Sequence, residues 1–557
     1  MHGRLKVKTT AEQQEAKRKE REKKLKIYNA AVQKISAKRQ QQEYDDEALH
    51  ITAEILTANS DFYSLWNYRK EIFKHFKAEK SEEEVQTLFQ QELYFLEACL
   101  KGNPKSYGTW HHRCFVLDNM PKPDWDRELQ LCNQFLEYDE RNFHCWDYRR
   151  FVVSRSNVSL ESEFEFTTTK ISSNFSNYSS WHYRSKLLPA IFPDPNQPRL
   201  VQEHQMLQEH ETVQNAFFTD PDDQSAWFYH RWLLGRGETV QQICQMYVAR
   251  DAGRVVVSLA KHIQIGGKDN LILEVNGSPV ECTWTNQQRK TTFSTLWIAS
   301  ELSIPDGEVK VKVSVEESDL SAEIVLEEGQ MSQGQNFQCV ESSFSSELSS
   351  ATSDVLKREL DAVRELYSLE PENKWVLLTI VLLMKSLCPI LYKDEILEHL
   401  QQLQHLDNKR QNYYLDLRSK MLIEIAIETI KGKLDDVLDL SNQGLTTLVH
   451  LELLPLVREV KLSDNTLDSF HNFQYFQCLE KLNISGNRVT SCDGLNFLPE
   501  LTELDLQNNC IASKEGLEAL LTCPKLQVIH ISGNPVSHDD GAMDGIRAMF
   551  PSATLHS

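Results

Sequence analysis

The sequence predicts a multidomain, mainly α-helical protein: an α-α helical-repeat solenoid, interrupted by an inserted immunoglobulin-like β-sandwich and followed by a C-terminal α/β domain of leucine-rich repeats. Three observations predict this fold class. A tryptophan-centred motif recurs early in the chain, stretches of alternating β-branched residues follow it, and a leucine ladder fills the C-terminal part. At 557 residues, the chain has room for three or more domains of about 100–200 residues each.

The tryptophan motif has the form aromatic-x-x-Trp-x-x-Arg. Its copies are centred on Trp66, Trp110, Trp146, Trp181 and Trp227. The last copy lacks the aromatic residue and carries its arginine one place later. Spacings of 44, 36, 35 and 46 residues suit pairs of helices, which bury their apolar faces only against neighbouring pairs. We therefore expect the tryptophans and arginines to pack between repeats, and Asn103-Pro104 and Asp220-Pro221 to open the helices that follow them.

The remainder of the chain changes its periodicity twice. Segments 254–259, 270–275 and 308–315 alternate β-branched and polar residues, which is typical of β-strands in a sandwich. From Leu434 the pattern L-x-x-L-x-L-x-x-N-x-L recurs, as in leucine-rich repeats. Its ladder positions, at spacings of 22, 22, 22 and 25 residues, are Gln443, Asn465, Asn487, Asn509 and Asn534.

These patterns predict four segments. Residues 1–240 hold the helical repeats, 241–345 the inserted sandwich, 346–430 the returning helices of the solenoid, and 431–557 the leucine-rich repeats. The leucine-rich repeats predict a fold and do not indicate a particular partner.

Composition excludes several classes of function. A net charge of −21 disfavours general nucleic-acid binding, which needs lysine and arginine to contact phosphates. The longest apolar run, near 376–384, is much shorter than the ~20 residues of a membrane span, and the N-terminus lacks the apolar stretch of a secretory signal. We therefore expect a cytoplasmic protein, and its 12 scattered cysteines to be reduced thiols.

Five tryptophan-centred helix pairs, two of which have Asn-Pro or Asp-Pro starts, resemble the α subunits of protein prenyltransferases. The inserted sandwich and the leucine-rich tail, in this order, are similar to the Rab geranylgeranyl type, because farnesyl-type α subunits lack both. The resemblance covers essentially the whole chain.

The resemblance implies a heterodimeric enzyme that transfers geranylgeranyl from geranylgeranyl diphosphate to C-terminal cysteines of Rab GTPases presented by a Rab escort protein. A prenyltransferase β subunit would hold the isoprenoid and a zinc ion, which makes the substrate thiol a thiolate. We expect no cofactor on this chain alone, since no Cys/His/Asp group in its sequence has the spacing of metal ligands.

The resemblance also implies site residues. The diphosphate-facing lysine of the family corresponds to Lys105, within Asn103-Pro-Lys-Ser-Tyr107, and Tyr107 lies beside it. Where the farnesyl enzyme has a Tyr-His pair, this chain has Phe143-His144, so a hydroxyl is missing and His144 is the remaining candidate. His2 is a further candidate, as a ligand that the N-terminus could offer to the zinc of the β subunit.

Two alternatives remain open at the level of the sequence. The helical and leucine-rich repeats alone would also fit a non-enzymatic scaffold that assembles partner proteins. A farnesyl-type α subunit would share the tryptophan repeats. Lys105 argues against the scaffold, and the two additional domains argue against the farnesyl type.

Overall fold

A computed structural model describes residues 11–195, 201–235, 241–265, 270–316, 318–337, 353–431 and 437–556. The chain forms two compact units, which divide between Gln205 and Met206. Each unit is built around its own set of repeats.

The first unit is a series of antiparallel helix pairs. Its helices are α1 (Ala11–Gln40), α2 (Asp46–Ala58), α3 (Tyr63–Glu79), α4 (Glu82–Gly102), α5 (Tyr107–Asn119), α6 (Trp125–Tyr138), α7 (Phe143–Arg155), α8 (Leu160–Ser173) and α9 (Tyr178–Ile191). Within the pairs α4 packs on α5, α6 on α7 and α8 on α9, and the second helices of neighbouring pairs pack on each other, α3 on α5 and α5 on α7. This order is that of the predicted helical-repeat solenoid.

Each tryptophan of the motif fixes the turn that precedes its own helix. The indole N–H donates to the backbone carbonyl six residues earlier at 2.8–2.9 Å in every copy, from Trp66, Trp110, Trp146, Trp181 and Trp227. The five side chains are buried. The aromatic ring thus fills the space between repeats while its one polar atom is satisfied, as the sequence predicts for packing residues.

The turns themselves correct one expectation. Asn103 does not open α5: it is the C-cap of α4, and its Oδ1 accepts the backbone N–H of Lys105 at 3.3 Å. Ser106 is the N-cap of α5, with its hydroxyl accepting the N–H of Thr109. Asp220 likewise follows α10, and Asp223 caps the next helix. Asn and Asp close a short turn of this kind readily because their side chains bond the backbone two residues on.

Buried ion pairs join the second helix of each pair to the first helix of the next pair. The arginine three residues after the tryptophan bonds a buried glutamate from the next helix in the pairs Arg69–Glu92, Arg113–Glu128 and Arg149–Glu163. Burial alone would raise the pKa of Glu92, but Arg69 and His112 lower it to about 2. The Glu92 carboxylate therefore stays ionised opposite a permanent cation.

The second unit contains further helices that also pack against one another in pairs. These are α10 (Glu203–Thr219), which starts just before the division, α11 (Gln224–Leu234), α12 (Ser353–Leu369), α13 (Lys374–Leu387), α14 (Lys393–Leu406) and α15 (Gln411–Lys431). α11 packs on α13, and α12 to α15 pack in sequence order. The helical arrangement is therefore resumed after the β-strands that interrupt it.

Two antiparallel sheets form the inserted sandwich. The strands are β1 (Ile243–Ala249), β2 (Arg254–Ile263), β3 (Leu271–Val275), β4 (Ser278–Val280), β5 (Trp284–Thr285), β6 (Ser294–Ala299), β7 (Val309–Val315), β8 (Ser321–Leu326) and β9 (Ser332–Asn336). One sheet has the order β5-β6-β2-β1-β9 and the other β4-β3-β7-β8. Apolar residues of both sheets share one core, which includes Val257, Trp297 and Val311.

A parallel sheet of short strands forms the C-terminal part. Its strands, in sheet order, are β10 (Val437–Asp439), β11 (Glu459–Lys461), β12 (Lys481–Asn483), β13 (Glu503–Asp505), β14 (Val528–His530) and β15 (Thr554–His556), and α16 (Asp540–Met549) precedes the last. The predicted fold class is confirmed in all three of its parts.

Candidate functional site

Lys105 lies in the turn between α4 and α5, two residues before α5 begins. Its side chain is 65% exposed, and its ammonium lies 3.2 Å from Oδ2 of Asp139, the residue that ends the equivalent helix of the next pair. An exposed pair of this kind contributes little to stability. Lys105 can therefore exchange its carboxylate for another anion at low cost.

Tyr107 and His144 lie next to each other although they belong to different repeats. Tyr107 is the first residue of α5 and is 59% exposed. Its ring meets the imidazole of His144 edge to face, with centroids 4.2 Å apart, and Phe143 also packs on that imidazole. The structure thus brings Tyr107 and His144 together through the packing of α5 on α7.

His144 is almost entirely buried, at 6% exposure. It lies in the first turn of α7, where Asn142 caps the helix by accepting the backbone N–H of His144 at 3.2 Å. Burial lowers the pKa of His144, and the charge of Lys105 lowers it further, against the opposing effect of Asp147. At neutral pH the imidazole is therefore uncharged, so Lys105 is the cation of this group.

A row of exposed aromatic side chains extends the site along the repeats. In four successive pairs the first residue of the second helix is a half-exposed aromatic, namely Tyr63, Tyr107, Phe143 and Tyr178. Large apolar side chains at one repeated position are unusual on a surface that faces only water. We call these four residues the aromatic row.

Sequence reasoning missed three polar residues at this surface. Arg141 occupies the same place in its turn as Lys105 does, since its N–H bonds the side chain of Asp139, and it is exposed. One turn after Tyr107, His111 Nδ1 lies 3.0 Å from the ammonium of Lys70 on α3. Aligning the turns on their Asn or Asp, rather than on the tryptophans, would have found Arg141; the contact of Lys70 with His111 needs the packing of α3 on α5.

His2 lies outside the described residues. Among the residues that the structure does describe, one group of at least three His, Cys, Asp or Glu side chains is close enough to hold a metal ion, and it consists of His210, His230 and Glu359. That group is in the second unit and does not include Lys105, Tyr107 or His144. No helix in the described part of the chain is long and apolar enough to span a bilayer.

Three family models match the chain. The protein prenyltransferase alpha subunit repeat matches residues 45–76, 89–120, 125–156, 160–191 and 206–237. The insert domain of the Rab geranylgeranyl transferase alpha subunit matches 243–334, and a model of two leucine-rich repeats matches 479–519.

Curated relatives match over the full length. The chain is 45% identical to proteins named geranylgeranyl transferase type-2 subunit alpha from Bos taurus and Homo sapiens, over 568 aligned positions that cover 100% of this chain and 99% of each relative. A protein of the same name from Dictyostelium discoideum is 42% identical over 42% of this chain and 75% of its own length. A solved Candida albicans protein geranylgeranyltransferase-I complexed with GGPP is 24% identical, covers 37% of this chain and 66% of its own, and has a TM-score of 0.31.

Proposed function

We propose a function from one established premise: the chain belongs to the family of geranylgeranyl transferase type-2 α subunits. With a β subunit it forms a protein prenyltransferase that transfers geranylgeranyl from geranylgeranyl diphosphate to C-terminal cysteines of Rab GTPases. A Rab escort protein presents those substrates, and the reaction takes place in the cytoplasm. The observation that carries this proposal is full-length identity of 45% together with the exposed cation Lys105 beside Tyr107.

The residues of this chain act on the leaving group. As the bond between the prenyl carbon and the diphosphate oxygen breaks, negative charge grows on the diphosphate. The ammonium of Lys105 leaves Asp139 and pairs with that charge, which stabilises the transition state more than the ground state. Zinc on the β subunit, which the family implies, would lower the pKa of the substrate cysteine, so that its thiolate is the nucleophile.

Tyr107 and His144 have separate roles in this account. The Tyr107 hydroxyl, on a half-exposed ring, donates a hydrogen bond to a diphosphate oxygen. His144 is too deeply buried to be a principal contact of the diphosphate, and its neutral imidazole instead holds the Tyr107 ring edge to face. We therefore propose Lys105 and Tyr107 as catalytic residues and His144 as a positioning residue.

The aromatic row supports the presence of a protein partner. Four half-exposed rings at one repeated position form a strip of apolar side chains, in which the rings of Tyr107 and Phe143 lie 6.1 Å apart. Aromatic side chains are enriched at the centres of protein interfaces. We propose that this strip lies against the β subunit, so that Lys105, in the turn beside it, reaches an active site formed by both chains.

The test of the catalytic proposal is the substitution Lys105→Ala in the heterodimer. We expect the single-turnover rate of prenyl transfer to fall by about 10-fold to 1,000-fold, the range for loss of one preorganised charge. The matched control is Lys101→Ala, which removes another exposed lysine paired with a carboxylate, Glu97 at 3.0 Å. Equal rates for wild type and Lys105→Ala would remove Lys105 from the mechanism.

A further inference from the structure

The fifth repeat replaces the buried arginine of the other repeats with a histidine. His230 lies three residues after Trp227, the place that Arg69, Arg113 and Arg149 hold after their own tryptophans. It contacts Glu359 of α12, which takes the part of the buried glutamate of the other repeats. The two residues are 129 positions apart in the sequence because the β-sandwich lies between them.

A second histidine completes a buried cluster around the same carboxylate. His230 Nε2 lies 2.7 Å from Oε2 of Glu359, and His210 Nδ1, from α10, lies 3.4 Å from Oε1. All three side chains are buried: His210 is 3% exposed, His230 1% and Glu359 4%. One donor atom from each lies within 4.8 Å of the other two.

The charges of this cluster differ from those of the other repeats. Burial lowers the pKa of His230 in spite of its bond to Glu359. Two imidazoles thus face a buried carboxylate here, where the other repeats provide a guanidinium, which is permanently charged.

His210 gives an independent sign of a missing ligand. Both of its ring nitrogens are buried without a hydrogen-bond partner of good geometry, although Nδ1 faces Glu359. Buried polar atoms in native proteins nearly always have a partner. An imidazole nitrogen that points at a carboxylate and a second imidazole is well placed to bind a cation.

We propose that His210, His230 and Glu359 bind a divalent transition-metal ion of the zinc class. Two imidazoles and one carboxylate are a common ligand set for zinc, with metal–ligand distances of about 2.0–2.2 Å. Tetrahedral bonds of that length separate the ligands by roughly 3.4 Å, close to the 3.4 Å between His210 and Glu359. On binding, the ion takes the place of the proton on Nε2 of His230, that proton moves to Nδ1 of the same ring, and the 2.7 Å contact with Glu359 opens to the same separation.

The remaining contact of Glu359 fits such a site. The amide of Gln214, one turn after His210 on α10, donates to Oε1 of Glu359 at 3.0 Å. Hydrogen bonds of this kind orient carboxylate ligands in metal sites. The ion would join α10 and α11 to α12, the helices on either side of the sandwich, and would supply the positive charge that arginine supplies elsewhere.

Metal content of the heterodimer tests the proposal. The full-length chain is purified with its β subunit, treated with a chelator, returned to zinc and washed, and the bound zinc is counted by mass spectrometry. His230→Arg restores the guanidinium of the other repeats and should preserve the fold. We expect the wild type to retain about one more zinc ion per chain than His230→Arg. Because the comparison is a difference, any zinc on the β subunit cancels.

Two further variants keep the test decisive. His210→Gln, which keeps a polar side chain of similar reach, should lose the same ion, even if His230→Arg proves unstable. The control His75→Gln removes a partly exposed imidazole 3.1 Å from Glu79 and should leave the zinc content unchanged. Equal zinc in the wild type and in either cluster variant would overturn the proposal, as would a loss of zinc in His75→Gln as large as that in His210→Gln.

Discussion

At the scale of single residues, the buried arginine–glutamate pairs decide how firmly one repeat holds the next. Arg113 and Glu128 are almost fully buried, and Arg113 forms two bonds of 2.7 Å with the carboxylate. The hydroxyl of Tyr148, on α7, donates to the same carboxylate. Glu128 therefore connects three helices, and removing its charge leaves a buried guanidinium without a counter-charge.

The substitution Glu128→Gln should be strongly destabilising. Breaking one side of a buried ion pair costs about 3–5 kcal/mol, so we expect a loss near the lower end because glutamine still accepts a hydrogen bond. Hydrogen exchange of α5 and α7, with urea unfolding followed by circular dichroism, measures it. The control is Asp118→Asn, which breaks an exposed pair between the same two helices, Asp118 with Arg155 at 3.3 Å, and should cost less than about 1 kcal/mol. Similar losses for the two variants would contradict this account.

The sequence predicted these residues only in part. It identified the tryptophans and arginines as packing residues because they recur at a fixed spacing. It could not identify Glu92, Glu128 and Glu163, since they lie at variable distances in the next helix. It found that Arg231 comes one place later in the fifth copy, but it did not predict that His230 takes the buried place of the arginine. The Lys105–Tyr107 segment came from a family motif, whereas the contact of Tyr107 with His144 depends on how α5 packs on α7.

At the scale of elements, the asparagine ladder holds the parallel sheet in register. The side chain of Asn487 accepts the N–H of Leu467 at 3.0 Å and donates to the carbonyls of Leu462 and Ile484 at 2.9 and 3.0 Å. Asn465 forms equivalent bonds one repeat earlier, and Asn509 and Asn534 form them one and two repeats later. Each asparagine thereby satisfies buried backbone groups that no strand neighbour reaches.

The substitution Asn487→Ala should destabilise the leucine-rich part by about 1–3 kcal/mol, since it leaves the buried N–H of Leu467 unpaired. The carbonyls of Leu462 and Ile484 keep the bonds that Asn465 and Asn509 donate to them. Gln443 is the control, because its side-chain amide reaches only the Ser441 carbonyl at 3.4 Å. Gln443→Ala should cost less than about 1 kcal/mol. Hydrogen exchange of β11 to β13 measures both losses. We expect the Leu467 amide to lose its protection in Asn487→Ala and to keep it in Gln443→Ala.

The ladder was predictable at this level because its period is short and its chemistry repeats. The turn chemistry of the helices was not: the pairs Asn103-Pro104 and Asp220-Pro221 have the composition of helix starts, yet each closes the preceding helix. Asparagine and aspartate suit both positions, so tertiary packing of the tryptophan on the turn decides between them.

At the scale of the whole molecule, the inserted sandwich and the leucine-rich repeats share a hydrophobic core. Tyr247, Val256, Leu296 and Ile298 of the sandwich pack in the same cluster as the leucines of the repeats. Arg254 also bonds Glu500 at 3.0 Å. This contact could not be predicted from the sequence, because four helices separate the two domains along the chain and the inward-facing residues of both domains have the same apolar character.

This shared core predicts how the accessory domains can be removed. Deleting 241–345 alone should expose apolar residues of the leucine-rich repeats and lower the yield of folded protein.

Deleting 241–345 and 431–557 together should leave prenyl transfer per folded heterodimer within about threefold of the full-length rate, since Lys105 and Tyr107 lie in the other unit. The Dictyostelium relative, which matches 42% of this chain over 75% of its own length, is a shorter protein and supports this expectation. A folded double deletion without transfer would contradict it.

The central claim, that this chain is half of a Rab geranylgeranyl transferase, is tested most directly by label transfer with separated subunits. Labelled geranylgeranyl diphosphate and a Rab protein bound to its escort protein are incubated with this chain alone, with the β subunit alone and with both. Labelled farnesyl diphosphate serves as the comparison donor. We predict transfer only when both subunits are present, with geranylgeranyl strongly preferred. Transfer by this chain alone, no transfer by the folded heterodimer, or a preference for farnesyl would contradict the account.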